Sequence, residues 1–262
     1  MIYAFSPEGV ACLDAVLVTG PLLAFDIDGT LAPIVARPDE ARLPDDVQHC
    51  LVDLAQHNEV AIITGRSVSD ARRMFTFEPD YLIGNHGAEG IPAWRERSGA
   101  FERTVRGWHD ALATCDALHA NGVTIEDKRF SLSLHYRQAK NADAAYRAIQ
   151  GCVDALQPAP RVIDGKAVAN LLPPDAPDKG DALRALIGET RCRNVLYVGD
   201  DDTDETVFGL HLPSVLTLRV EPAADSQATL FLRDQREVLT LMQHIAREQA
   251  RVATMRAARA DG

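Results

Sequence analysis

The sequence predicts an α/β protein: a doubly wound parallel-sheet core, residues 1–92 and 173–262, interrupted by a smaller inserted α+β domain at 93–172. Three observations predict it. Short apolar runs recur along both ends of the chain, helical stripes separate them, and the middle of the chain switches to period-two patterning.

Taken in order, the runs are 22–27 (LLAFDI), 59–64 (EVAIIT), 81–83 (YLI), 194–198 (NVLYV) and 215–220 (VLTLRV), each continuous enough to be a strand buried on both faces. Between the first two, DDVQHCLVDLAQHN sets Val47, Cys50, Leu51, Leu54 and Ala55 at helical spacing. Strand alternating with helix is the pattern of a parallel sheet. In the middle, Val105, Trp108, Leu112, Cys115 and Leu118 form one helical stripe, and Ala145, Ile149, Cys152 and Leu156 form another. RFSLSLHYR alternates instead: Phe130, Leu132, Leu134 and Tyr136 share one strand face, and Ser131, Ser133, His135 and Arg137 share the other. The insertion is bordered near Ile91-Pro92 and by Pro173, Pro174 and Pro177, which stop regular structure. A last helix carries Val238, Leu241, Met242 and Ile245, then trails into an Arg/Ala-rich tail expected to be solvated and frayed.

Composition excludes several classes of function. With 262 residues, 46% of them hydrophobic, the chain can bury a sizeable core. Acidic residues outnumber basic ones 38 to 27, for a net charge of -11, which disfavours nucleic-acid or anionic-membrane partners. The five cysteines, Cys12, Cys50, Cys115, Cys152 and Cys192, are widely spaced without a CxxC pair, and read as reduced thiols of a cytoplasmic protein. Asp14 interrupts the only early apolar run, so neither secretion nor a membrane span is expected from this N-terminal stretch. A monomer is the working expectation for oligomeric state.

The chemistry is written at strand ends. Asp26 closes an apolar strand and Asp28 follows on the turn made by Gly29. A lone DxD is more often an Asx turn with a cap. Here a second strand ends in GDDDTDE, which crowds Asp200, Asp201, Asp202, Asp204 and Glu205 into six positions. Like charges about 4 Å apart repel by roughly 4 kcal/mol at an effective dielectric of 20, so a counter-charge belongs among them. Part of the cluster is suited to capping a helix near Thr203; two acidic strand ends together suit a hard divalent cation, Mg²⁺ first. At a third strand end, AIITGR offers the Thr64 hydroxyl and the amides of the Gly65-Arg66 turn to an anion such as phosphate. In PDKGDAL, Asp178 reads as an N-cap and Lys179 sits in the first helical turn, where a cation opposes the helix dipole by roughly 0.3 to 1 kcal/mol. A local rule broken in that way points to function.

Together these residues describe phosphoryl transfer to a carboxylate. Asp26 would attack phosphorus, and Asp28 would act as general acid and then general base. Mg²⁺ among Asp26, the Asp28 carbonyl and Asp200, with Thr64 and Lys179 on the remaining oxygens, would balance the charge.

DIDGT, ITGR, DKGDAL and GDDDTDE resemble, in order and spacing, the four motifs of haloacid dehalogenase-like phosphohydrolases. The resemblance implies the hydrolase core fold, Mg²⁺ dependence, an aspartyl-phosphate intermediate and an α/β cap of the sugar-phosphatase branch that closes over the sheet. FDIDGTLAPIVARPDEARLP, IGNHGAEG, IEDKRFSLSLHYR and VLYVGDDDTDETVF resemble the trehalose-6-phosphate phosphatase family along nearly the whole chain. That resemblance gives Asp26, Asp28, Thr64 and Lys179 the catalytic roles. It gives Asp26, Asp28, Asp200, Asp201 and Asp204 the metal roles, the last two through water. It places Asn85, His86, Glu126, Lys128, His135 and Arg137 on the sugar; the substrate set is completed by the Gly65-Arg66 turn, read as a phosphate site, and by Lys166 and Asn170, which share a strand face. Taken singly, a polar strand face is more often simply solvated and a lone His86 more often structural. The chain also departs from the family: after Lys166 it reads GKAVANLLPP, with Asn170 where a glutamate is usual and Leu172 near the place of an arginine. The expected activity is hydrolysis of trehalose 6-phosphate. The alternatives are the same chemistry on a glycosyl-phosphoglycerate or sucrose phosphate, or a non-catalytic phosphosugar-binding regulator, which would have no use for a general acid.

Overall fold

A computed structural model describes residues 1–35, 40–165 and 167–260. The chain begins with β1 (Ile2–Tyr3), α1 (Pro7–Leu17), β2 (Leu22–Phe25), α2 (Asp45–Ala55), β3 (Val60–Ile63), α3 (Val68–Arg72) and β4 (Tyr81–Ile83). The insertion follows as α4 (Arg95–Ala113), α5 (Asp116–Ala120), β5 (Thr124–Asp127), β6 (Leu132–His135), α6 (Ala142–Val153), β7 (Arg161–Gly165) and β8 (Val168–Leu172). It closes with α7 (Lys179–Glu189), β9 (Val195–Gly199), α8 (Glu205–Phe208), β10 (Val215–Val220), β11 (Leu230–Leu232) and α9 (Glu237–Ala260). Contacts divide it into two units, one of residues 1–90 and 178–262 and one of residues 91–177.

The larger unit is a seven-stranded parallel sheet in the order β1-β11-β10-β9-β2-β3-β4. From β2 the chain winds outward through β3 and β4, then returns as β9 on the other side of β2 and winds the opposite way. The switch point therefore lies between β2 and β9, where open α/β sheets gather ligands at strand carboxyl ends. The register fixes that edge: Phe25 pairs with Val198, and the Asp26 amide donates to the Val198 carbonyl at 2.9 Å. Leu23, Phe25, Val60, Ile62, Leu196 and Val198 pack with Leu13 of α1, Leu51 and Leu54 of α2, and Leu241 and Ile245 of α9. The alternate positions Leu22, Ala24, Ala61, Ile63, Val195 and Tyr197 are buried too, which explains the unbroken apolar runs. β1 and β11, two and three residues long, have no counterpart among those runs. The Arg/Ala-rich tail departs from expectation: α9 continues through it to Ala260, as strings of Ala, Arg, Glu and Met favour.

The smaller unit is a four-stranded antiparallel sheet, β5-β6-β8-β7, with α4, α5 and α6 on one face. Val105, Trp108, Leu112, Leu118, Leu132, Leu134, Ile149 and Leu171 form its core. On the opposite face the register lines up Glu126, Ser133 and Asn170 across β5, β6 and β8. One expectation is corrected here. Cys115, at the break between α4 and α5, and Cys152, in the last turn of α6, form a disulfide, because the helical layer brings together residues 37 apart in sequence. Cys12, Cys50 and Cys192 are free thiols. No helix among the described residues is long and apolar enough to cross a membrane.

Candidate active site

The site is built where β2 and β9 end. Asp26, 4% exposed, extends β2 by one residue, and the chain then turns sharply, with the Gly29 amide bonded to the Ala32 carbonyl at 2.8 Å. Gly29 has φ +91, and a Cβ there would lie 2.0 Å from Asp200 Oδ2, so only glycine lets the second acidic strand end approach the first. Thr30 Oγ1 lies 3.4 Å from Asp200 Oδ1 on the same edge. Carboxylate oxygens of Asp26, Asp200 and Asp204 all fall within 4.8 Å of one another.

Lys179 answers the charge. Its ammonium, 1% exposed, lies 3.1 Å from Asp26 Oδ1, 2.8 Å from Asp204 Oδ1 and 3.9 Å from Asp201 Oδ1. Asp178 caps α7 as its sequence suggests, accepting from the Asp181 amide at 2.8 Å in a reciprocal capping box, which aims the first side chain of the helix at the strand ends. Burial alone would lower the Lys179 pKa; the Asp204 and Asp26 carboxylates outweigh it and hold the ammonium well above its ordinary range. Burial raises Asp26 well above the usual carboxylate range, with Lys179 opposing and Asp204, Asp200 and Asp201 reinforcing. Burial, then Asp204 and Asp201, raises Asp200 to about 7. At Asp201, Lys179 and the hydrogen bonds from Thr203 and Asp204 outweigh burial and hold the carboxyl below the ordinary range.

The acidic segment divides into distinct tasks. Asp204 is fully buried: Oδ1 accepts from Lys179 at 2.8 Å and from the Tyr197 hydroxyl at 2.5 Å, and Oδ2 accepts from the Asp200 and Asp201 amides at 3.0 and 3.1 Å. It anchors the loop and the lysine. Asp201 Oδ1 accepts from the Thr203 amide and hydroxyl at 2.9 and 2.6 Å, so Asp201, not Asp204, ties down the turn into α8. Asp26 and Asp200 supply the hard, half-enclosed oxygens that a divalent cation prefers.

After β3, Thr64 is 1% exposed and its Oγ1 accepts from the Arg66 amide at 3.2 Å, inside the Gly65 turn. Asn85 is fully buried and donates to Glu89 Oε2 at 2.8 Å; the same oxygen accepts from the Val68 amide, and the Asn85 amide donates to the Arg66 carbonyl at 2.7 Å. Asn85 thus braces this turn. The His86 ring packs against Gly65, where an added Cβ would lie 2.4 Å from it.

A trehalose-phosphatase family profile matches residues 24–235, which hold every residue of this site. The chain belongs to the trehalose-phosphatase family. A Mycobacterium marinum protein named trehalose-phosphate phosphatase is 31% identical over 230 residues, covering 81% of this chain and 57% of its own length. A Mycobacterium tuberculosis protein named as an uncharacterised glycosyl hydrolase is 36% identical over 208 residues, covering 73% of this chain but 15% of its own length. The chain therefore spans about half, or much less, of the curated relatives it matches. A crystal structure of a trehalose-6-phosphate phosphatase related protein superposes with a TM-score of 0.69 over 87% of this chain and 99% of its own, at 24% identity, and shares the fold.

The remaining trehalose-phosphatase positions lie in the smaller unit. His135 Nε2 is 2.8 Å from Glu126 Oε2, and Lys128 Nζ is 3.9 Å from the same oxygen. Asn170 Oδ1 accepts from the Ser133 hydroxyl at 2.6 Å, and its amide donates to the Ile163 carbonyl at 3.3 Å. Arg137 is exposed, and Lys166 lies outside the described residues. Sequence reasoning missed Tyr197, a hydroxyl inside an otherwise apolar strand three residues before Asp200, and Arg219, which donates to the Asp201 carbonyl at 3.2 Å and Glu205 at 2.7 Å. The signal for Tyr197 was present, since a buried phenol needs a partner.

Proposed function

We propose that this chain is a magnesium-dependent phosphatase that converts trehalose 6-phosphate to trehalose and phosphate through an aspartyl-phosphate at Asp26. The observation that carries the reading is the meeting of Asp26 and Asp200 at the switch point with a buried Lys179 3.1 Å from Asp26. Membership of the trehalose-phosphatase family supports the substrate.

In this reading Asp26 attacks phosphorus, and the bond from phosphorus to the sugar oxygen breaks. Asp28 gives its proton to the departing alcohol, then takes one from the water that attacks the aspartyl-phosphate, which restores both carboxyl groups and frees phosphate. Lys179 holds a phosphoryl oxygen beside Asp26, and Thr64 offers its hydroxyl to another. Mg²⁺ held by Asp26, Asp200 and the Asp28 carbonyl would supply the charge that lets a carboxylate meet a phosphate dianion. Asp204 and Asp201 then serve as supports for the lysine and the loop.

For the leaving group, Glu126, Lys128, His135 and Asn170 present paired donors and acceptors on one strand face, the chemistry that sugar hydroxyls require. Asn170 in place of a carboxylate favours a second reading, the same hydrolysis on another sugar phosphate. Phosphate release from trehalose 6-phosphate with and without Mg²⁺, beside sucrose phosphate and a glycosyl-phosphoglycerate, tests both. The highest kcat/KM falls on trehalose 6-phosphate; a higher value elsewhere moves the substrate and keeps the mechanism, and no Mg²⁺-dependent release from any of them removes the mechanism.

A further inference from the structure

Arg66 follows the Thr64-Gly65 turn, and the sequence alone suggests a ligand for substrate phosphate. The structure spends it differently. Its side chain is 8% exposed, and every guanidinium nitrogen meets a carboxylate: Nε and Nη2 fork onto Asp28 Oδ2 and Oδ1, both at 2.6 Å, while Nη1 reaches Asp70 Oδ2 at 3.1 Å. The platform beneath is fixed on both sides, because the Arg66 amide donates to Thr64 Oγ1 at 3.2 Å and its carbonyl accepts from Asn85 at 2.7 Å. Asp70 is fixed in turn at the start of α3, its amide bonded to the Ser67 hydroxyl at 3.1 Å and its carboxylate to Arg73 at 2.5 Å. Asp28, by contrast, projects from a turn with its side chain 39% exposed and lacks the burial that locks Asp26.

We propose that Arg66 is a positioning residue for Asp28: its planar fork sets the carboxyl rotamer from which the proton reaches the departing oxygen. The proposal rests on the general-acid role given to Asp28 above. A bidentate guanidinium fixes both the position and the plane of a carboxyl group, which a point charge cannot do. A displacement of about 1 Å at a reacting group costs on the order of a hundredfold in rate.

The test compares kcat/KM for trehalose 6-phosphate, whose alkoxide must be protonated, with p-nitrophenyl phosphate, whose phenolate departs unaided. This ratio reports the steps up to departure of the leaving group and leaves out the later hydrolysis. Arg66→Gln lowers kcat/KM for the sugar phosphate by about a hundredfold, the lower end of what a general acid contributes, and for the aryl phosphate by less than about threefold. Arg66→Lys recovers only part of the loss. In an Asp28→Asn background, Arg66→Gln adds no further loss on the sugar phosphate. Equal losses on the two substrates, or losses that add to those of Asp28→Asn, overturn the proposal. Should Arg66→Gln fail to fold, Asp70→Asn decides, since it removes only the third arm and produces the same selective loss at a few-fold amplitude; an unselective result overturns the proposal. Asp28→Asn alone tests the underlying reading: if it harms both substrates equally, the general-acid assignment falls and this inference falls with it.

Discussion

Replacing Lys179 by methionine removes the buried cation and keeps its volume. At an effective dielectric of 20, unit charges 2.8 and 3.1 Å apart attract by about 6 and 5 kcal/mol, gross figures that the several kcal/mol needed to desolvate the ammonium largely offset. The net value of the pair is small, but the cost of breaking it is not, because Asp204 is left fully buried with one strong donor gone. Removing one partner of a buried pair costs about 3 to 5 kcal/mol. For a chain of this size each kcal/mol lowers Tm by about 2 to 4 °C, so the transition of the larger unit falls by about 6 to 20 °C. Calorimetry without added metal measures it. Asp204→Asn in the same background recovers part of the loss, since it removes the stranded charge. A loss below about 1 kcal/mol, or a double variant whose loss equals the sum of the two single losses, refutes the reasoning that these charges depend on each other.

Asp26→Asn binds the sugar phosphate, measured by calorimetric titration, and releases no phosphate; appreciable turnover removes the nucleophile. With Asp200 raised to about 7, a cation must displace a proton to bind, so Mg²⁺ affinity rises about tenfold from pH 6 to pH 8. Because the folded-state pKa is raised, metal-free stability declines as pH climbs from 3.8 through about 7, and the Tm gained from Mg²⁺ grows over the same window; a gain independent of pH contradicts the arrangement. Gly29→Ala, at φ +91 with its Cβ driven against Asp200, costs about 1 to 3 kcal/mol and lowers Mg²⁺ affinity in the same titration. Tyr197→Phe withdraws one of the four donors on Asp204 and costs about 1.5 to 3 kcal/mol by urea denaturation.

Most of the sheet was legible because strands buried on both faces leave unbroken apolar runs, and the meeting of DIDGT with GDDDTDE follows once both strands end on one edge of a parallel sheet. β1 was not legible, since two residues carry no periodicity, and β11, as short as the β4 run that was read, was missed. The role of Asp204 was hidden for another reason. Carboxylates in a short acidic run look alike in sequence, and only the path of the backbone shows that this one turns inward onto Lys179, Tyr197 and two amides while Asp200 faces Asp26. The Arg66 fork onto Asp28 spans 38 residues and depends on the angle between two turns, which no local pattern encodes. The Cys115–Cys152 pairing is of the same kind, set by two helices lying side by side.

The strand bearing Asp26 has β3 as an early neighbour on one side, but its other neighbour, β9, is separated from it by the whole inserted unit. During synthesis at about 5 to 20 residues per second, the roughly 170 residues between them occupy the ribosome for roughly 9 to 34 s. Throughout that interval β2 has an open hydrogen-bonding edge and its acidic end lacks Asp200. A nascent fragment that stops short of Gly199 holds one of the two acidic strand ends and an unpaired strand edge, which makes it a natural client for a chaperone.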